Sequence, residues 1–215
     1  MKKKLSYLLI ILILVIGLQS CSSNGKDLDS SKLNIGIIQY VEHPALDDAR
    51  IGFIDRLEEK GIDANIHYQN AHGDISNTMK INQKFLSDKV DLIYAIGTPA
   101  AQSARQVTSE IPILFSAVTD PLDAGIVNSW DEVGTNVTGT SDKADVLEQL
   151  KMFREIDENI STIGIIHNTS EQNSIIQVEE VKKLAPSLNL DVKVVGINNI
   201  NDLNKGLKSL VKKVD

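Results

Sequence analysis

The chain has 215 residues, of which 42% are hydrophobic and 24% charged, and its formal net charge is −7. That length and apolar content suit one large or two small globular domains. The acidic balance argues against a nucleic-acid partner, because the only basic cluster is Lys2–Lys4 at the N-terminus. In chain order, an apolar stretch from Leu5 to Leu18 comes first. It is shorter than the roughly 20 residues of a bilayer span, so it predicts the core of a secretory signal. It ends in Leu18-Gln19-Ser20-Cys21, and Cys21 is the only cysteine, which leaves no internal disulfide. Residues 21–32 are polar and rich in serine, as in a flexible tether.

After the tether, Leu33–Gln39 reads as a buried strand. A helix is expected over 45–60, with Leu46, Ala49, Phe53, Ile54 and Leu57 on one face and Gly61 closing it. The expected order continues with a strand at 62–68, a helix at 75–88, a strand at 90–96, a helix at 100–109 and a strand at 111–117. Residues 121–132 read as short helix or irregular chain, with Trp130 a packing residue. Such alternation predicts a parallel sheet wrapped by helices. The Gly- and Thr-rich segment 134–142 then breaks the rhythm and reads as a crossing, with Ser141 the N-cap of the next helix. Helix 143–155, strand 161–167, helix 172–185, strand 190–197 and helix 201–213 follow. The expected organisation is a signal at 1–20, a tether at 21–32, an N-terminal α/β lobe at 33–135 and a partial second lobe at 136–215. With only two strands, that second lobe reads as truncated at its C-terminus, or as incomplete without a partner.

Three strand-to-helix corners carry the functional signal. At "QYVEHP", "IGTP" and "AVTDP" an apolar run gives way to a polar residue and then a proline. In open parallel sheets, ligands bind outside the C-terminal strand ends. Unpaired amides of a helix N-terminus there favour an anion. Thr98 and Thr119 add hydroxyls, and Glu42 and Asp120 offer a carboxylate to a cation. A zwitterion, most simply an α-amino acid, satisfies both. Each corner alone also reads as a plain cap or turn. His43 reads as a rim residue, and no second His or Cys has metal-site spacing, so neither a metal nor a cofactor is expected.

Two resemblances sharpen this. "LQSC" resembles the bacterial lipoprotein box, which implies lipid attachment at Cys21 and a chain anchored on the extracytoplasmic face of the cell membrane; a signal with an incidental cysteine is the alternative. "VEHPALDDARIGFIDRL", "GTPAAQSA", "SAVTDPLDAG", "NVTGTSD" and "NTSEQNS" occur in that order from residue 41 to residue 174. Together they resemble the substrate-binding lipoproteins of ABC importers, in the tryptophan/tyrosine branch. The resemblance implies a two-lobed fold like the type I periplasmic binding proteins, closing on a ligand. It implies first-lobe contacts from Val41, Glu42, Thr98, Ala100, Thr119 and Asp120, and second-lobe contacts from Glu171, Asn173 and Ser174. It also implies an ABC permease and its ATPase as partners, and no enzymatic activity. The sequence carries no P-loop, G-x-S-x-G or zinc pattern. A sensor lipoprotein that presents a small molecule to a membrane receptor is the alternative function.

Overall fold

The structure is a computed structural model describing residues 31–131 and 134–215. The signal segment, Cys21 and nearly all of the tether lie outside the described residues.

Five parallel strands form the first sheet: β1 (Leu33–Gln39), β2 (Ala64–Asn70), β3 (Leu92–Ile96), β4 (Ile113–Val118) and β5 (Val137–Ser141), in the spatial order β2-β1-β3-β4-β5. Three helices wrap it: α1 (Pro44–Glu59), α2 (Ile75–Asp88) and α3 (Thr98–Val107). Helix α1 covers one face, where Leu46, Phe53, Ile54 and Leu57 pack on Ile35, Ile37, Tyr94 and Ile96. Helices α2 and α3 cover the other, where Phe85 and three alanines of α3 meet Ile38, Ile93, Ala95 and Phe115. With both faces covered, β1 and β3 are nearly continuous apolar runs.

Local chemistry sets the ends of these helices. Pro44 follows the cap residue His43, whose side chain accepts from the Ala45 amide. Gly61 closes α1 at φ +66°, with its amide on the Glu58 carbonyl and that of Ile62 on the Leu57 carbonyl, as the sequence predicts. Asp74 caps α2 by accepting from the amides of Ser76 and Asn77.

The second lobe holds β6 (Thr162–Asn168) and β7 (Asp191–Ile197), paired in parallel, with α4 (Val146–Ile156), α5 (Gln172–Leu184) and α6 (Leu203–Leu210) around them. Val146, Leu150, Ile163, Ala185 and Leu190 form its core.

Three expectations shift. The segment 137–141 is not a crossing; it pairs with β4 and completes the first sheet. The chain therefore passes between lobes at 142–145, later than the expected boundary at 135/136. Ser141 does not cap a helix: its hydroxyl donates to the Thr119 carbonyl and accepts from the Lys143 amide. Asp145 is the cap of α4. Trp130 is not packed inside but 52% exposed.

Candidate functional site

The C-terminal ends of the first sheet face those of the second across a cleft of about 860 Å³. Sheet order fixes which residues lie where along it. His72 follows β2; Tyr40, Val41 and His43 follow β1; Gly97 and Thr98 follow β3; Thr119 follows β4; and Asp142 follows β5. The opposite wall comes from the loop after β6, with Asn168, Glu171 and Asn173, and from the loop after β7, Asn198–Ile200.

Helix α3 begins at the centre of the first wall. Its N-cap, Gly97, has φ +97° and makes no side-chain cap, and a Cβ there would stand 3.1 Å from that of Tyr40. Only glycine gives both the backbone angle and the close approach. Gly97 spends its own amide on Ser116, and Pro99 has none. The amides of Thr98 and Ala100 remain as the first-turn donors without a helical partner. A β-bulge in β4 between Phe115 and Val118, with Ala117 at φ +53°, bends the next strand end beside them.

The facing wall is acidic and partly unsatisfied. Glu171 receives two hydrogen bonds on Oε1, from Asn168 Nδ2 at 2.7 Å and from the Tyr40 hydroxyl at 3.3 Å. The Tyr40 hydroxyl also lies 2.9 Å from the Gly73 carbonyl. Burial, then the Glu171 charge, pushes the Tyr40 phenol up to about 12, so it is a donor at any physiological pH. Oε2 of Glu171 has no partner among the described residues. Asn173 Oδ1 is buried and likewise unpartnered, which calls for a donor from outside the protein. Among the described residues no lysine or arginine lines the cleft, while Glu171 and Asp142 do.

Of the nine residues expected to contact ligand, Val41, Thr98, Thr119, Glu171 and Asn173 line the cleft. Ala100 is fully buried and is not on the lining. Glu42 and Ser174 are not on the lining. Nor is Asp120, whose carboxylate is 4% exposed and spent on its own turn: it accepts from the amides of Leu122 and Asp123 and from Lys143 Nζ at 2.8 Å. Burial pushes this carboxyl up, but the Asp123 amide and Lys143 outweigh it and leave it below the usual aspartate value. Tyr40 lies within the "QYVEHP" corner though it was not among the expected contacts, and His72 and the 197–200 loop join the site without any proline signal. Their only mark in the sequence is position, directly after a strand.

A family model described as ABC transporter substrate binding protein matches residues 34–215. The chain belongs to this family. It is a family of solute-binding proteins rather than enzymes. The chain is 44% identical over 227 residues to the "Tyrosine-binding protein" of Clostridioides difficile strain R20291, covering 100% of this chain and 66% of that protein. Among solved structures, the fold matches an ABC domain in complex with L-Trp from Streptococcus pneumonia with a TM-score of 0.82 and 33% identity, over 86% of this chain and 63% of that one. It matches a ligand-free, open substrate binding protein with adhesive properties from Clostridium difficile with a TM-score of 0.61 and 45% identity, over 85% and 63%. The chain thus spans just under two thirds of the length of these relatives. It overlays better on the less identical L-Trp complex than on the open protein.

Proposed function

We propose that the chain is the extracytoplasmic binding component of an ABC importer, held at the membrane by lipid on Cys21, and that its cleft takes an aromatic amino acid for delivery to a permease and its ATPase. The observation that carries the reading is the opposition of two unlike walls. The free Thr98 amide, on the lining at the positive end of α3, suits the ligand carboxylate. The unpaired Glu171 Oε2 and the buried Asn173 Oδ1 across the cleft suit its ammonium. A zwitterion joins the walls, whereas an anion without a cation would meet Glu171 and Asp142 unneutralised. The names of the relatives support tyrosine or tryptophan as the ligand.

The energetics suffice. Charge-assisted hydrogen bonds contribute about 1.5–3 kcal/mol each. Three or four of them, with burial of a ring, reach the roughly −8 kcal/mol of micromolar binding after ordering costs. No bond is made or broken in the ligand. Bridging stabilises the closed arrangement, and that arrangement is what a permease would recognise.

A thermal-shift screen of the purified chain against the twenty amino acids, common sugars and nucleosides tests this. L-Tyrosine or L-tryptophan at 100 times its Kd should add about 2.7 kcal/mol of stability. Stabilisation by a sugar or nucleoside and by no amino acid would overturn the reading.

A further inference from the structure

We infer that His43 and His72 form a paired hydrogen-bonding site for a hydroxyl at the far end of the ligand ring, which makes the cleft selective for a phenol over an unsubstituted phenyl group. This rests on the amino-acid reading above and deepens it.

The ends of the cleft differ in chemistry. Towards β4 and β5 it presents Thr119 and Asp142, which suit no ring. Towards β1 and β2 the first lobe lines it with Val41 and Leu46, and the second lobe adds Ile197 and Ile200 to the cleft lining. An aromatic side chain anchored at α3 therefore runs to the β1–β2 end. Strand β2 lies two positions from β3, about 10 Å at the usual strand spacing. That is comparable to the distance from the carboxylate of tyrosine to its hydroxyl. His72, after β2, and His43, after the intervening β1, both line the cleft.

Their local structure prepares complementary roles. His43 Nδ1 accepts from the Ala45 amide at 3.2 Å, which fixes the tautomer with the proton on Nε2. His43 thus offers a donor. His72 sits at φ +54°, a left-handed backbone that a non-glycine residue adopts only under constraint. Its amide is held by Asn70 Oδ1 at 2.7 Å, and the next residue, Gly73, bonds the Tyr40 carbonyl at 2.8 Å. The loops after β1 and β2 are thereby tied side by side. The His72 ring makes no hydrogen bond among the described residues, and a neutral imidazole has one acceptor nitrogen. A phenol both accepts and donates, so it can take the proton of His43 Nε2–H in a hydrogen bond while giving its own to His72. A phenyl ring offers neither of these exposed imidazoles a partner.

Calorimetric titration of the chain with L-tyrosine and L-phenylalanine, repeated on His43→Asn and His72→Asn, tests the pair. Asparagine caps helices and tolerates left-handed backbone, so both substitutions spare the fold, but its short amide does not reach the ring end. The parent should bind L-tyrosine about ten-fold or more tighter than L-phenylalanine, one good hydrogen bond's worth, and each variant should pull that ratio towards one. A ratio near one in the parent, an intact ratio in both variants, or equal losses for the two ligands would overturn the pair while leaving an amino-acid site standing. No binding of either ligand by the parent overturns the amino-acid reading and this inference with it.

Discussion

Single atoms decide most of what this cleft can hold. Glu171 is engaged on one oxygen and open on the other, and it meets Tyr40 of the opposite lobe. Glu171→Gln keeps the shape but removes the charge offered to an ammonium, so ligand affinity should fall about ten- to a hundred-fold by titration calorimetry, the loss of one charge-assisted bond. Gly97→Ala acts differently. It places a methyl 3.1 Å from the Tyr40 Cβ at a backbone angle that alanine disfavours, so both the α3 amides and the Tyr40 hydroxyl shift. Binding should be lost well before the fold is, which far-UV circular dichroism beside titration would show. At this scale the sequence is only partly legible. Thr98 and Thr119 are readable because a proline marks the corner each occupies. Asp120 carries the same mark, yet it turns inward, because three donors of its own neighbourhood claim its carboxylate. Which way a side chain turns at a corner depends on partners such as Lys143, 23 residues away, and no local pattern records them.

The elements were more legible than the residues. Leu33–Gln39 appears where the apolar run predicts it, and α1 ends at the glycine that can adopt φ +66°. Strand β5 was not legible, because "VTGTS" has a single buried residue, Val137, and gains its place by pairing with β4 rather than by an apolar pattern. The turn after β4 is anchored to the crossing by the Asp120–Lys143 pair. Since the Asp120 carboxyl is held below its ordinary value of 3.8 in the folded chain, its contribution to stability is fully present above that value. It is lost as pH falls through the lower folded one. Acid unfolding of Asp120→Asn should accordingly show a shallower loss of stability below about pH 4 than the parent does. An identical acid limb in the two proteins would mean that the pair contributes nothing.

For the whole molecule, the connection matters more than the lobes. Residues 142–145 link the first sheet to the second lobe, and the Tyr40–Glu171 hydrogen bond bridges the gap at the other side. A ligand held by both walls should protect both at once. In hydrogen-exchange mass spectrometry, saturating L-tyrosine should slow exchange at 97–101 and at 168–174 together and leave the C-terminal half of α2 unchanged. Protection of one loop alone would mean binding without bridging. Tyr40→Phe removes the cross-lobe hydrogen bond and should weaken binding about ten-fold while retaining the order of ligand preference, because a hydrogen bond to a carboxylate contributes about 1.5–3 kcal/mol and this one, at 3.3 Å, shares its donor with the Gly73 carbonyl. The alternation of strand and helix predicts parallel sheets wrapped by helices, whereas the division into two lobes rests on the Gly- and Thr-rich break at 134–142 and on the family resemblance. The exact facing of the walls was not readable, since it depends on contacts between residues such as 40 and 171 that are remote in the chain.

Trp130 is the protein's only tryptophan, and it stands half in water on the first lobe, off the cleft lining. Its fluorescence will be that of a hydrated indole from the outset. A guest entering between the lobes meets no native indole to quench, so unchanged emission during a titration says nothing against occupancy, and an optical assay needs a dye or a tryptophan introduced near the mouth.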